Sequence, residues 1–202
     1  MSAMRDACLI VVDVQQDFMP GGALAVPHGD KVVPLINRLG ERFTNIVLTQ
    51  DWHPRAHVSF ASSHPGNKPF DTIALPYGEQ VLWPDHCVQG TDGAELHRGL
   101  SLPHAQLVVR KGYRCDVDSY SAFFEADRTT PTGLGGYLKE RGFGEVYVCG
   151  LATDYCVAWT AMDARASGFE VTVIEDACRA IDQGGSLERA RAAMDAAGVR
   201  RS

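Results

Sequence analysis

A chain of 202 residues without a linker-like stretch has the length of one large domain, and 45% hydrophobic residues supply a core. A formal net charge of −6, with no long run of like charge, excludes a nucleic-acid partner, which calls for clustered Lys and Arg. The apolar run Ala7–Val12 is too short for a signal peptide and nothing is long enough to span a membrane, so the chain reads as cytoplasmic.

In a reducing compartment the six cysteines are buried hydrophobes, catalysts or metal ligands before they are disulfides, and no CxxC pair suggests a structural zinc cluster. Ala7–Val14 is a continuous β-branched run, the pattern of a strand covered on both faces. Asp30–Phe43 has helical spacing at Val33, Ile36, Leu39 and Phe43, and Asn45–Thr49 reads as a second strand. The stretch from Gln50 to about Leu102, rich in His, Pro and Gly, reads as a long irregular segment of the kind that carries function.

Leu107–Arg110 is a third short strand, and Leu134–Arg141 a helix stopped by Gly142. Then come a strand at Glu145–Gly150, a helix at Asp154–Ser167 ended by Gly168, a strand at Glu170–Ile174 and a helix at Ser186–Ala197 ended by Gly198. The pattern leaves open whether an edge strand starts at Val199. Alternating strands and helices with apolar strands predict a three-layer α/β/α fold around a doubly wound, mainly parallel, Rossmann-like sheet.

In such sheets the carboxyl ends of strands line the ligand crevice, which selects Asp13, Gln50–His53, Lys111 and the turn Gly150–Cys156. Cys156 falls in the first turn of a helix, with Thr153 or Asp154 as cap. A helix N-terminus lowers a thiol pKa, and its N–H groups can hold an oxyanion. Position alone also fits a core cysteine, the reading given to Cys8, Cys149 and Cys178. Asp13 closes an apolar strand, where a carboxylate is costly to bury without a partner or a task. Lys111 closes the third strand and can place a cation near both groups, although each of the two residues taken singly also reads as a strand-end residue.

Asp51 and His53, two apart on extended chain, point the same way and suit zinc, iron or manganese. His86 is the candidate for a further ligand, and three protein ligands leave open positions for water or substrate. His57 is ambiguous between metal and packing, while His28, His64, His97 and His104 read as surface residues.

Together the segments Val12-Asp13-Val14-Gln15-Gln16-Asp17-Phe18, Gln50-Asp51-Trp52-His53-Pro54, Trp83-Pro84-Asp85-His86-Cys87-Val88, Arg110-Lys111-Gly112 and Gly150-Leu151-Ala152-Thr153-Asp154-Tyr155-Cys156-Val157 resemble, in order, the motifs of the nicotinamidases. Those belong to the isochorismatase-like cysteine hydrolases, and the resemblance runs from about Cys8 to Ala177. It implies a single isochorismatase-like domain over residues 1–202 that hydrolyses nicotinamide to nicotinate and ammonia in NAD salvage. Asp13, Lys111 and Cys156 would form the triad, and a thioester the intermediate. A non-proline cis peptide at Leu151–Ala152 would bring the Ala152 N–H beside that of Cys156 as an oxyanion hole. The metal ligands would be Asp51, His53 and His86, holding one divalent ion against the pyridine nitrogen, zinc first and iron or manganese as alternatives. Phe18, Trp83 and Tyr120 would line the ring pocket. Pyrazinamide is an expected further substrate, and homo-oligomerisation is left open.

Overall fold

The computed structural model describes residues 4–202; residues 1–3, part of the stretch read as carrying no signal peptide, lie outside the described residues. In chain order the elements are β1 (Met4–Val12), α1 (Val32–Gly40), β2 (Phe43–Asp51), β3 (Thr72–Leu75), β4 (Gly78–Val81), β5 (Leu107–Lys111), α2 (Leu134–Glu140), β6 (Glu145–Leu151), α3 (Ala158–Ala166), β7 (Glu170–Arg179), α4 (Ser186–Ala196) and β8 (Arg200–Arg201). The described residues form a six-stranded sheet in the order β5-β2-β1-β6-β7-β8, parallel at every pairing, and a separate β3-β4 hairpin.

This is the expected doubly wound class. The central strand β1 is apolar without alternation because both faces are covered, and Leu9, Ile10 and Val12 are fully buried. Strand order reverses at β1, which has β2 on one side and β6 on the other. The crevice of such a sheet opens at that reversal. It lies between the chain leaving β1, which carries Asp13, and the chain leaving β6, which carries Cys156.

The structure corrects several boundaries. Helix α1 stops at Gly40, where a Cβ would sit 2.2 Å from Leu102 Cδ2, and Phe43 opens β2 with its ring edge-on to Tyr147. The helix expected from Asp154 begins with a π-helical turn, Thr153–Val157, and becomes α-helical only at Ala158. Strand β7 continues beyond Ile174 to Arg179 across a register shift, and the open question at the C-terminus resolves as β8, paired with Thr172 and Val173. The Gln50–Leu102 stretch is not wholly irregular, since it contains the β3-β4 hairpin.

Gly150 ties the sheet to the crevice. It has φ +118°, and a Cβ there would lie 2.1 Å from the carbonyl oxygen of Val12, the residue before Asp13. Gly150→Ala should therefore destabilise the fold by at least about 3 kcal/mol and displace Asp13. Urea midpoints of the two proteins check this, and an unchanged midpoint would show that the strands can part at no cost.

Candidate active site

Four chain segments converge on one buried ammonium. Lys111 Nζ lies 2.8 Å from Asp13 Oδ2, hydrogen-bonds Asp51 Oδ1, donates to the Ser119 carbonyl at 2.9 Å and reaches Cys156 Sγ at 3.4 Å. Local structure explains the convergence. Asp51 and Lys111 are register partners at the ends of β2 and β5. Asp13 follows β1 in a left-handed conformation, φ 48°. Thr49 Oγ1 donates to its Oδ1 at 2.6 Å and accepts its backbone N–H at 3.1 Å. Gln15 brackets Asp51, accepting its N–H and donating to its carbonyl, both at 2.8 Å.

Burial and mutual charge set the protonation states. Burial pushes the Asp13 carboxyl up to about 6, with Lys111 opposing and Asp51 reinforcing the rise. For Asp51 burial also acts upward, but Lys111 and His53 outweigh it and hold the group below the usual carboxylate range. Lys111 stays firmly charged, because the attraction of Asp13 and Asp51 exceeds the cost of its burial. The Cys156 thiol corrects the sequence reading. Burial pushes it well above the ordinary value, with Lys111 pulling the other way. Neither Thr153 nor Asp154 caps the turn through its side chain. Burial thus works against the free thiolate of Cys156, and Lys111 works for it.

Beside this cluster Asp51 Oδ2 lies 3.7 Å from His53 Nε2 and 3.8 Å from His86 Nε2, and the three donor atoms fall within 4.8 Å of one another. Donors about 2.1 Å from a tetrahedral ion stand about 3.4 Å apart, so small adjustments would seat one. The Nδ1 of His53 faces the Gly112 carbonyl at 2.9 Å and that of His86 the Pro84 carbonyl at 2.8 Å, which leaves each Nε2 for a metal. The residues fit the ion. Gly112, at φ +63°, is required here, because a Cβ would lie 2.4 Å from His53 Cε1. His57 stacks on His53 with ring centroids 4.3 Å apart, and its nitrogens are engaged by Ser59 Oγ and the Val117 carbonyl. It buttresses the His53 ring.

One cavity joins the two groups. Phe18, Trp83 and Tyr120 all line it, as do Asp51, His53, His86, Ala152 and Cys156. The Leu151–Ala152 peptide is cis, where the resemblance places it. Trp83 Nε1 donates to Tyr120 Oη at 3.0 Å, and the Trp83 ring meets Tyr155 edge-on at 4.8 Å.

Sequence reasoning missed the polar residues behind the site. Besides Thr49 and Gln15, Asp17 accepts the Cys87 N–H at 2.7 Å and pins the loop that carries His86. Gln80, buried in β4, donates to Asp118 Oδ2 at 2.8 Å and Tyr120 Oη at 3.0 Å. A polar residue just past an apolar strand, as at Gln15, was a usable signal. Gln80 offered none.

The isochorismatase domain family matches residues 7–199. A nicotinamidase of Acinetobacter baylyi is 61% identical over 201 residues, covering 100% of this chain and 94% of that protein. Among solved structures, PnC1 from L. infantum in complex with nicotinate superposes with a TM-score of 0.86 at 40% identity, over 100% of this chain and 95% of that one. A pyrazinamidase of Pyrococcus horikoshii in complex with zinc does so at 0.79 and 39% identity, over 98% of each chain. The fold, the thiol beside its charged pair and these likenesses agree, and the chain belongs to the isochorismatase family, within which it groups with the nicotinamidases.

Proposed function

We propose that this chain hydrolyses nicotinamide to nicotinate and ammonia, as a single cytoplasmic domain in NAD salvage, and that it accepts pyrazinamide as well. The observation that carries the reading is the buried Lys111 ammonium held between a thiol and two carboxylates, with the thiol on the wall of a cavity lined mainly by aromatic and apolar side chains. Phe18, Trp83 and Tyr120 hold the ring and turn the carboxamide carbon towards Cys156. Asp13, an acceptor at neutral pH, takes the thiol proton while Lys111 steadies the resulting charges. The sulfur attacks the carbon, and the N–H groups of Ala152 and Cys156 receive the oxyanion. Asp13 returns the proton to the leaving nitrogen, which departs as ammonia. Water then hydrolyses the thioester, releasing nicotinate and restoring the thiol.

Asp51, His53 and His86 would hold a divalent ion, zinc in this reading with iron or manganese as alternatives, which would supply a Lewis-acidic seat for the pyridine nitrogen. Ammonia release from nicotinamide, run beside aliphatic amides and carbamoyl compounds, tests the reading. Preference for an aliphatic amide would overturn it.

The metal ligands give a separate expectation. His53→Ala should raise the KM for nicotinamide while Cys156 still reacts with iodoacetamide. His53 is a cleaner probe than Asp51, which also binds Lys111. Benzamide keeps the carboxamide but lacks the ring nitrogen, and should be a poor substrate of the metal-loaded protein. Equal kcat/KM for the two amides would remove the nitrogen-seating role.

A further inference from the structure

The turn that carries Cys156 holds a buried acid, Asp154, with a relative exposure of 6%. Its carboxylate binds other groups than the thiol. Oδ1 accepts the Ile181 N–H at 3.1 Å, and Oδ2 accepts the Asp182 N–H at 2.8 Å and the Ser186 hydroxyl at 2.5 Å. All three partners belong to the connection from β7 to α4 or to the first residue of α4.

That connection has little regular structure to hold it. Asp182, Gly184 and Gly185 are left-handed, at φ 50°, 58° and 76°. Ile181, in contrast, lines the cavity that contains Cys156. A carboxylate accepting two backbone N–H groups is a charge-assisted tether, and a loop deprived of it opens locally at low cost.

We infer that Asp154 is a specificity-determining positioning residue: it fastens Ile181 against the cavity, so that the turn presenting the nucleophile also fixes the wall that the substrate ring meets. The inference rests on the amide-hydrolysis reading above and adds to it a residue that touches neither substrate nor thiol. The predicted consequence is size selection. With the tether intact, Ile181 excludes ring substituents on its side of the cavity; with the tether cut, the wall yields and substituted rings enter.

The test compares wild type with Asp154→Ala, Asp154→Asn, Ile181→Ala and the double variant Asp154→Asn/Ile181→Ala. The readouts are KM and kcat for nicotinamide, kcat/KM for its ring-methylated derivatives, and the rate of Cys156 alkylation by iodoacetamide. Asp154→Ala should raise KM about tenfold, the worth of a hydrogen bond to a charged group. Asp154→Asn should do less, because its side-chain oxygen still accepts one N–H. In all variants kcat and alkylation stay near wild type and the discrimination against methylated rings weakens. Ile181→Ala should reproduce the effect, and the double variant should be no worse than the worse single, since both changes act through one wall.

Should Asp154→Ala fail to fold, Asp154→Asn and Ile181→Ala carry the comparison. A fall in kcat together with slower alkylation would place the role of Asp154 in the nucleophile turn and overturn the inference, as would additive effects in the double variant. Wild-type protein without turnover overturns the functional reading and this inference with it. Wild-type turnover, combined with unchanged KM and ring selectivity in Asp154→Asn and Ile181→Ala, overturns the inference alone.

Discussion

Cys156→Ala should keep the fold and bind nicotinamide but release no ammonia. The side chain is small and sits at the cavity wall, so truncation removes the attacking atom and little packing. The contrast lies in the other buried cysteines. Cys8, Cys149 and Cys178 are packed within the sheet, and burial pushes Cys8 and Cys178 up as it does Cys156, so what sets Cys156 apart is the Lys111 ammonium 3.4 Å from its sulfur. Their alanine variants should lose at most a few kcal/mol of stability, roughly what a small core deletion costs, and keep turning over. Ammonia release and calorimetric unfolding of the four variants decide the matter. If a metal-bound water were the nucleophile instead, Cys156→Ala and the alkylated protein would both stay active. More than trace activity in either sinks the covalent route.

Asp13→Asn should lower turnover by about two to four orders of magnitude, the usual worth of a positioned general base. The substitution keeps the shape and one oxygen for the Thr49 hydroxyl, but it removes the acceptor. The acceptor matters because burial works against the thiolate, with Lys111 opposing. Lys111→Ala should be as damaging for two reasons. The thiolate loses its neighbour, and Asp13 is left as a buried carboxylate without its counter-charge, a defect of about 3–5 kcal/mol. Iodoacetamide labelling separates the two. Equal labelling of Cys156 in wild type and Lys111→Ala, at matched folded fraction, would show that Lys111 does not stabilise the thiolate.

The sheet was legible because covered strands must be apolar on both faces, and Cys8–Val12 and Val146–Val148 say so without ambiguity. The site's charged residues were legible for the complementary reason: Asp13 and Lys111 interrupt apolar runs where burial is expensive. What stayed hidden depends on shape. The β3-β4 hairpin has short strands, with burial along Thr72–Leu75 alternating only between exposed and half-buried, too weak a contrast for a period of two to show. The extension of β7 runs through Glu175 and Asp176, polar residues that masked a strand paired on one side past a bulge. The π-helical turn before α3 has no compositional signature at all. The supporting groups Thr49, Gln80 and Asp154 satisfy buried partners from elsewhere in the chain, and pairing across such distances cannot be read from one sequence.

The reversal of strand order at β1 has a consequence for how this protein can fail. Asp13, Asp51, Lys111 and Cys156 each sit just beyond or at the end of a different strand, on four neighbouring strands of one sheet. No fragment that lacks any of those strands holds a working part of the chemistry. Unfolding that takes any of these strands therefore leaves no dim or altered activity, and a cell carrying a variant weakened there would hold a mixture of competent and silent molecules. In a denaturant titration, ammonia release and the sheet's circular dichroism should decay along one curve.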